Sequence, residues 1–100
     1  GGNTVSIVDL RARRRVGAID CGAHRRPHGI AVDAAGAVYV LSERDGVMLV
    51  ARAPLSGRVD QVQPTGGSGS HILSVVPDGT LAFSSNMRSA TVTALFPAEP

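Results

Sequence analysis

Two imidazoles set the chemistry open to this chain. His28 and His71 stand 43 residues apart in a sequence of 100, and the residues around them match without a gap. Arg15, Val16, Val32 and Gly36 recur as Arg58, Val59, Val75 and Gly79, with Ile19/Val62 and Ile30/Leu73 as conservative partners. Equal positions in a repeat become equal positions in space, one unit apart. The pair can therefore bind a metal ion or an anionic ligand, or share a proton. Glu43, Asp45 and Asn86 fall in loops that the repeat makes equivalent, and hard oxygen donors of this kind suit Ca²⁺ or Mg²⁺. Both sets also have plain structural uses, since turns favour acids and Asn, and a histidine at a strand entrance packs and hydrogen-bonds to a neighbouring loop. His24, just upstream, reads as an exposed loop histidine.

Other chemistries find less support. The run Gly66-Gly-Ser-Gly-Ser70 is neither a phosphate loop, because the chain has no lysine, nor a nucleophile elbow, because Ser68 has Gly66 before it but Ser70 after it. It reads as a flexible connection. Arg11, Arg13, Arg14 and Arg15 cluster in one turn, with Arg25 and Arg26 in a later loop. Without interleaved aromatics or a recognised nucleic-acid fold they read as a solvated turn, and no nucleic-acid partner is expected. The lone Cys21 excludes an intramolecular disulfide and reads as a small apolar residue near a strand end.

The elements that must position these residues are strands. Short apolar runs alternate at period two and are interrupted by turn residues every 8 to 12 positions, too short for amphipathic helices. A repeat of 43 residues has the length of one four-stranded propeller blade. The expected fold is accordingly all-β, a β-propeller fragment of antiparallel blades within one domain. Residues 3–20 end one blade, 28–63 make a full blade, with strands at 28–33, 38–42, 47–52 and 59–63, and 71–96 supply most of the next. Because propellers close with at least four blades, the remaining blades of a longer chain are the first expected partner. No apolar run is long enough to span a membrane, and the opening residues from Gly1 show neither the charged n-region nor the apolar h-region of an export signal.

Pro27-His-Gly-Ile-Ala-Val-Asp33, Pro77-Asp-Gly79 and Asn3-Thr-Val-Ser-Ile-Val-Asp9 resemble the YVTN-type β-propeller repeat. Ser70-His-Ile-Leu-Ser-Val-Val-Pro-Asp-Gly79, Ala82-Phe-Ser-Ser-Asn86 and Ala90-Thr-Val-Thr93 are similar to the same pattern, and Asp33 to Val40 also looks like an NHL-type blade. Two departures stand out. The consensus Asn is kept as Asn86 but reads as Glu43 in the middle blade, where Val47-Met-Leu-Val50 replaces the usual core. The resemblance implies a binding or scaffold module that presents His28 and His71 to a protein or small ligand at the channel mouth. It implies, as an alternative, a lactonase-like hydrolase whose divalent metal is held by Glu43 and Asn86 and polarises a carbonyl. A His-ligated redox centre is the third implication, and a periplasmic or extracellular location follows from the resemblance alone.

Overall fold

The computed structural model describes residues 3–23 and 26–97. Nine strands follow one another in chain order: β1 (Thr4–Asp9), β2 (Arg14–Asp20), β3 (Pro27–Val32), β4 (Val38–Ser42), β5 (Val47–Ala51), β6 (Gln61–Pro64), β7 (Ser70–Val75), β8 (Ala82–Asn86) and β9 (Thr91–Leu95). They form three antiparallel sheets, β1-β2, β3-β4-β5-β6 and β7-β8-β9, each a simple meander. No strand crosses between sheets, and every neighbour in a sheet is a neighbour in sequence. The chain is all-β, and among the described residues no helix is long and apolar enough to cross a membrane.

The middle sheet explains its own sequence. Val38-Tyr-Val-Leu-Ser42 and Val47-Met-Leu-Val-Ala51 are nearly continuous apolar runs because β4 and β5 are covered on both faces. Tyr39, Leu41, Met48 and Val50 point to one side and form a core with Leu73, Ala82 and Leu95 of the third sheet. Val40 and Leu49 point to the other and pack with Val5 of the first sheet and with Cys21 just beyond β2. Edge strand β6 alternates half-buried Gln61 and Gln63 with exposed Val62 and Pro64.

The fourth strand starts later than the sequence indicates. Residues 59–60 lie outside β6, because Pro54–Ser56 form a single 3₁₀ turn closed by Gly57 in the left-handed region (φ 78°). Proline fixes the backbone angle for that turn, and glycine accepts the reversal. The detour has a use. The Asp20 amide donates to the Gly57 carbonyl (3.1 Å), tying the first sheet to the second.

The first hairpin of the third sheet packs on a partly buried polar pair of the second. The Tyr39 hydroxyl donates to Asp33 Oδ2 at 2.6 Å, and the hairpin after β7 closes over both. A Cβ on Gly79 would lie 2.6 Å from that carboxylate oxygen and 2.8 Å from the hydroxyl, so only glycine fits. The Ala34 amide also donates to the Pro77 carbonyl at 2.7 Å. Burial, then the hydrogen bond and negative charge of Asp33, push the Tyr39 phenol up to about 12.

Tyr39 is the only tyrosine in the chain, so its ionisation can be read directly from phenolate absorbance. Wild-type protein is expected to titrate near pH 12 and Asp33→Asn lower. A phenol raised in the folded state contributes stability that is present below the unfolded value of about 10 and lost as pH rises through the folded one. A wild-type midpoint near 10 while circular dichroism still reports native structure would contradict the pairing.

Candidate functional site

The site lies where β3 and β7, the inner edges of the second and third sheets, run side by side. Gly29 permits the approach. A Cβ there would stand 2.7 Å from the His71 carbonyl and 3.3 Å from the Leu73 amide, so any side chain would force the strands apart. Each strand also carries a pairing irregularity at its histidine, between Pro27 and Ile30 in β3 and between Ser70 and Ile72 in β7. Such bulges re-aim a side chain at the cost of one ladder position. Here they bring the repeated histidines together.

The rings of His28 and His71 stack with centroids 3.9 Å apart and planes inclined by 30°. Glu43, in the turn after β4, sets Oε2 3.0 Å from Nδ1 of His71. Its own amide donates to the Arg26 carbonyl (3.0 Å), which fixes the turn beside the start of β3. One potential ligand atom from each of His28, Glu43 and His71 lies within 4.8 Å of the others. The group is open to solvent, with His28 exposed and the His71 and Glu43 side chains 29% and 25% accessible. The hydrogen bond with His71, reinforced by the charges of His71, His28 and Arg26, holds the Glu43 carboxyl below its ordinary value despite some desolvation. The site thus presents an ionised carboxylate and two imidazoles to one point.

Asn86 does not join them, because it is consumed inside the third sheet. Its side chain is buried, its Oδ1 accepts from Ser70 Oγ (2.8 Å) and Ser84 Oγ (2.9 Å), and its Nδ2 donates to Thr91 Oγ1 (3.2 Å) and Thr93 Oγ1 (2.9 Å). All four hydrogen-bonding positions of the amide are occupied. The presumed equivalence of Asn86 with Glu43 is also corrected by the pairing. Pro27 faces Ser42 in the second sheet and Ser70 faces Asn86 in the third, so Ser42 is the counterpart of Asn86. The Glu43 amide bonds to Arg26 as the Met87 amide bonds to Gly69, making Met87 the counterpart of Glu43. The hairpin at 76–81 is one residue longer than that at 33–37, which shifts the frame.

The connection at 64–70 is likewise not loose. Thr65 Oγ1 lies 2.8 Å from Ser70 Oγ, the Thr65 amide donates to the Gly46 carbonyl, and Gly67 packs against the Asn86 amide so closely that no Cβ fits. Asp45 sits in the Glu43 turn but is not one of the three converging residues. His24 and Arg25 lie outside the described residues. Arg11, Arg13, Arg14 and Arg15 are exposed around the β1-β2 turn, and Cys21 is buried, its thiol raised by desolvation and by Asp20. Gly29 and Arg26 position the site without being evident in the sequence. A glycine directly after a repeated histidine was the available signal for the first.

No family model matches this chain, and no curated protein does. Among solved structures it is similar to a chain of hydrazine synthase from Kuenenia stuttgartiensis, with a TM-score of 0.72 at 17% identity. The match covers 97% of this chain and spans about 30% of that one. At this identity the likeness concerns the fold.

Gly29→Ala is expected to destabilise the protein by about 1–3 kcal/mol in urea unfolding, as overpacking does, and to separate the two imidazoles. Unchanged stability together with an unchanged His28–His71 contact by nuclear magnetic resonance would show that the strands do not need this glycine.

Proposed function

We propose that this chain is a repeat segment of a β-propeller and works as a binding module, with His28, His71 and Glu43 as the contact point for its ligand at the channel mouth. The observation that carries the reading is the convergence of two repeat-equivalent imidazoles and a carboxylate at an open edge. The partition into sheets of two, four and three strands supports the propeller half of it, and so does the pattern of uncovered apolar residues. Ile30 and Val32 on β3 are exposed, where the inner strands of a complete preceding blade would lie. Gly79 is packed against the preceding sheet, whereas its repeat counterpart Gly36 meets open space. On the third sheet Ile72, Phe83 and Val92 share a face and are 63%, 40% and 71% exposed. A following blade is the natural cover.

The lactonase-like reading is weaker, because it requires Glu43 and Asn86 in one site and the Asn86 amide is fully engaged elsewhere. The donor set at hand contains two imidazoles instead.

Two measurements test the proposal. In sedimentation velocity the chain alone is expected to self-associate through its uncovered faces, with Ile72→Ser plus Val92→Thr shifting it toward monomer. A monodisperse wild-type monomer with a sharp, high thermal transition would contradict the missing-blade account. For the site, nitrogen-15 spectra of the imidazoles are recorded while inorganic phosphate, acetate and Zn²⁺ are titrated in turn. At least one probe is expected to move the His28 and His71 signals together; no response to any of the three would remove the pair from the functional surface.

A further inference from the structure

We infer that His28, Glu43 and His71 form a site for a divalent transition-metal ion of the imidazole-preferring class, and that the ion staples the second sheet to the third. The inference rests on the binding-module reading and names its ligand. One potential ligand atom from each of the three residues already lies within 4.8 Å of the others, and Nδ1 of His71 and Oε2 of Glu43 are 3.0 Å apart. Ligands about 2.1 Å from a tetrahedral zinc ion stand roughly 3.4 Å from each other, so only small side-chain movements are needed to close the set. An ion entering there takes the His71 and Glu43 donor atoms in place of the hydrogen bond between them. Two neutral imidazoles and one carboxylate then carry a single negative charge against a dication.

The donor types decide which ion fits. Calcium and magnesium require six or more oxygens, whereas this cluster offers one carboxylate and two ring nitrogens, a set that suits zinc, copper or nickel. Asn86, the oxygen donor that would have argued for a hard ion, is engaged in the third sheet. Three protein donors also leave coordination positions open on the exposed side, where His28 faces solvent. An anionic group of a partner or small ligand can complete the shell there.

The stapling follows from where the ligands stand. His28 and Glu43 belong to β3 and to the turn after β4, both in the second sheet, and His71 belongs to β7 in the third. Within this chain the described contacts between those sheets include apolar packing, the Gly79 hairpin over the Asp33–Tyr39 pair, the His28–His71 stack, the Glu43–His71 hydrogen bond, and a few backbone and Arg52 bonds. A metal held by both sheets strengthens the link that the stack and this hydrogen bond already make at the opposite end of β3 from Asp33. Binding to the folded state alone raises its stability by mass action.

The test is calorimetric titration of the untagged chain with Zn²⁺ and with Ca²⁺, paired with thermal unfolding in the presence of each ion and of a chelator. Zinc is expected to bind one per chain and raise the unfolding midpoint, the chelator to reverse this, and calcium to do neither. His71→Ala and His28→Ala are each expected to weaken zinc binding at least tenfold. Glu43→Gln keeps a hydrogen-bonding group beside His71 and is expected to weaken it as well; circular dichroism checks that each variant is folded. Zinc binding that survives both histidine substitutions, or that leaves the unfolding midpoint unchanged, overturns the proposal. Phosphate and acetate run on the same samples separate the two readings. If zinc fails while either anion binds in a His71-dependent way, the metal assignment falls and the binding module stands; if all three fail, both fall.

Discussion

The approach of β3 to β7 is the constraint on which the site depends. Two strands of different sheets, not hydrogen-bonded as a ladder, come close enough that the His71 carbonyl would touch any Cβ at position 29. That contact sets the lateral position of one sheet on the next, and with it which side chains meet at the rim. Imidazoles at 28 and 71 meet there because each follows a backbone irregularity that turns it toward the seam. Glu43 is delivered to the same point by a turn tied to Arg26. At the other end of β3, the Gly79 hairpin closes over the Asp33–Tyr39 pair and the Ala34 amide donates to the Pro77 carbonyl, fixing the same seam. The two ends hold the strands in register, and the apolar core fills the space beside them.

Burial in this molecule follows the stacking order of the sheets. The middle sheet, covered on both sides, supplies most of the fully buried large side chains, including Tyr39, Leu41, Met48 and Leu49. Its neighbours are covered on one side and expose apolar residues on the other or beyond their edge. A two-stranded first sheet shields Val38, Val40 and Leu49 but leaves Ile30 and Val32 open. Hydrophobic side chains left in water in such a pattern, rather than singly, mark surfaces made to be covered.

Much of this was legible in the sequence, and the exceptions have physical reasons. Period-two alternation and turn spacing carried the strand positions, since a strand's side chains must alternate between two faces whatever the neighbours do. The 43-residue repeat carried the pairing of His28 with His71, because each is the second residue of the first strand of its sheet. It misplaced Asn86, because the third sheet's first hairpin holds one more residue and the alignment around the histidines does not extend past it. The glycine and serine content of 66–70 reads as a flexible connection. Composition cannot reveal that Gly67 is small in order to seat the Asn86 amide, or that the serine and threonine hydroxyls satisfy one another and that amide. The delayed start of β6 came from Pro54 and Gly57, whose turn is longer than a simple hairpin because it also reaches the first sheet.

The account stands on the geometry of one contact, and a nuclear Overhauser measurement on the metal-free protein tests it most directly. Ring centroids 3.9 Å apart predict strong cross-peaks between the imidazole protons of His28 and His71, accompanied by contacts from the Gly29 α-protons to the His71 and Leu73 backbone. Histidine rings that show cross-peaks only to their own strands, with none between them and none from Gly29 to β7, would contradict it.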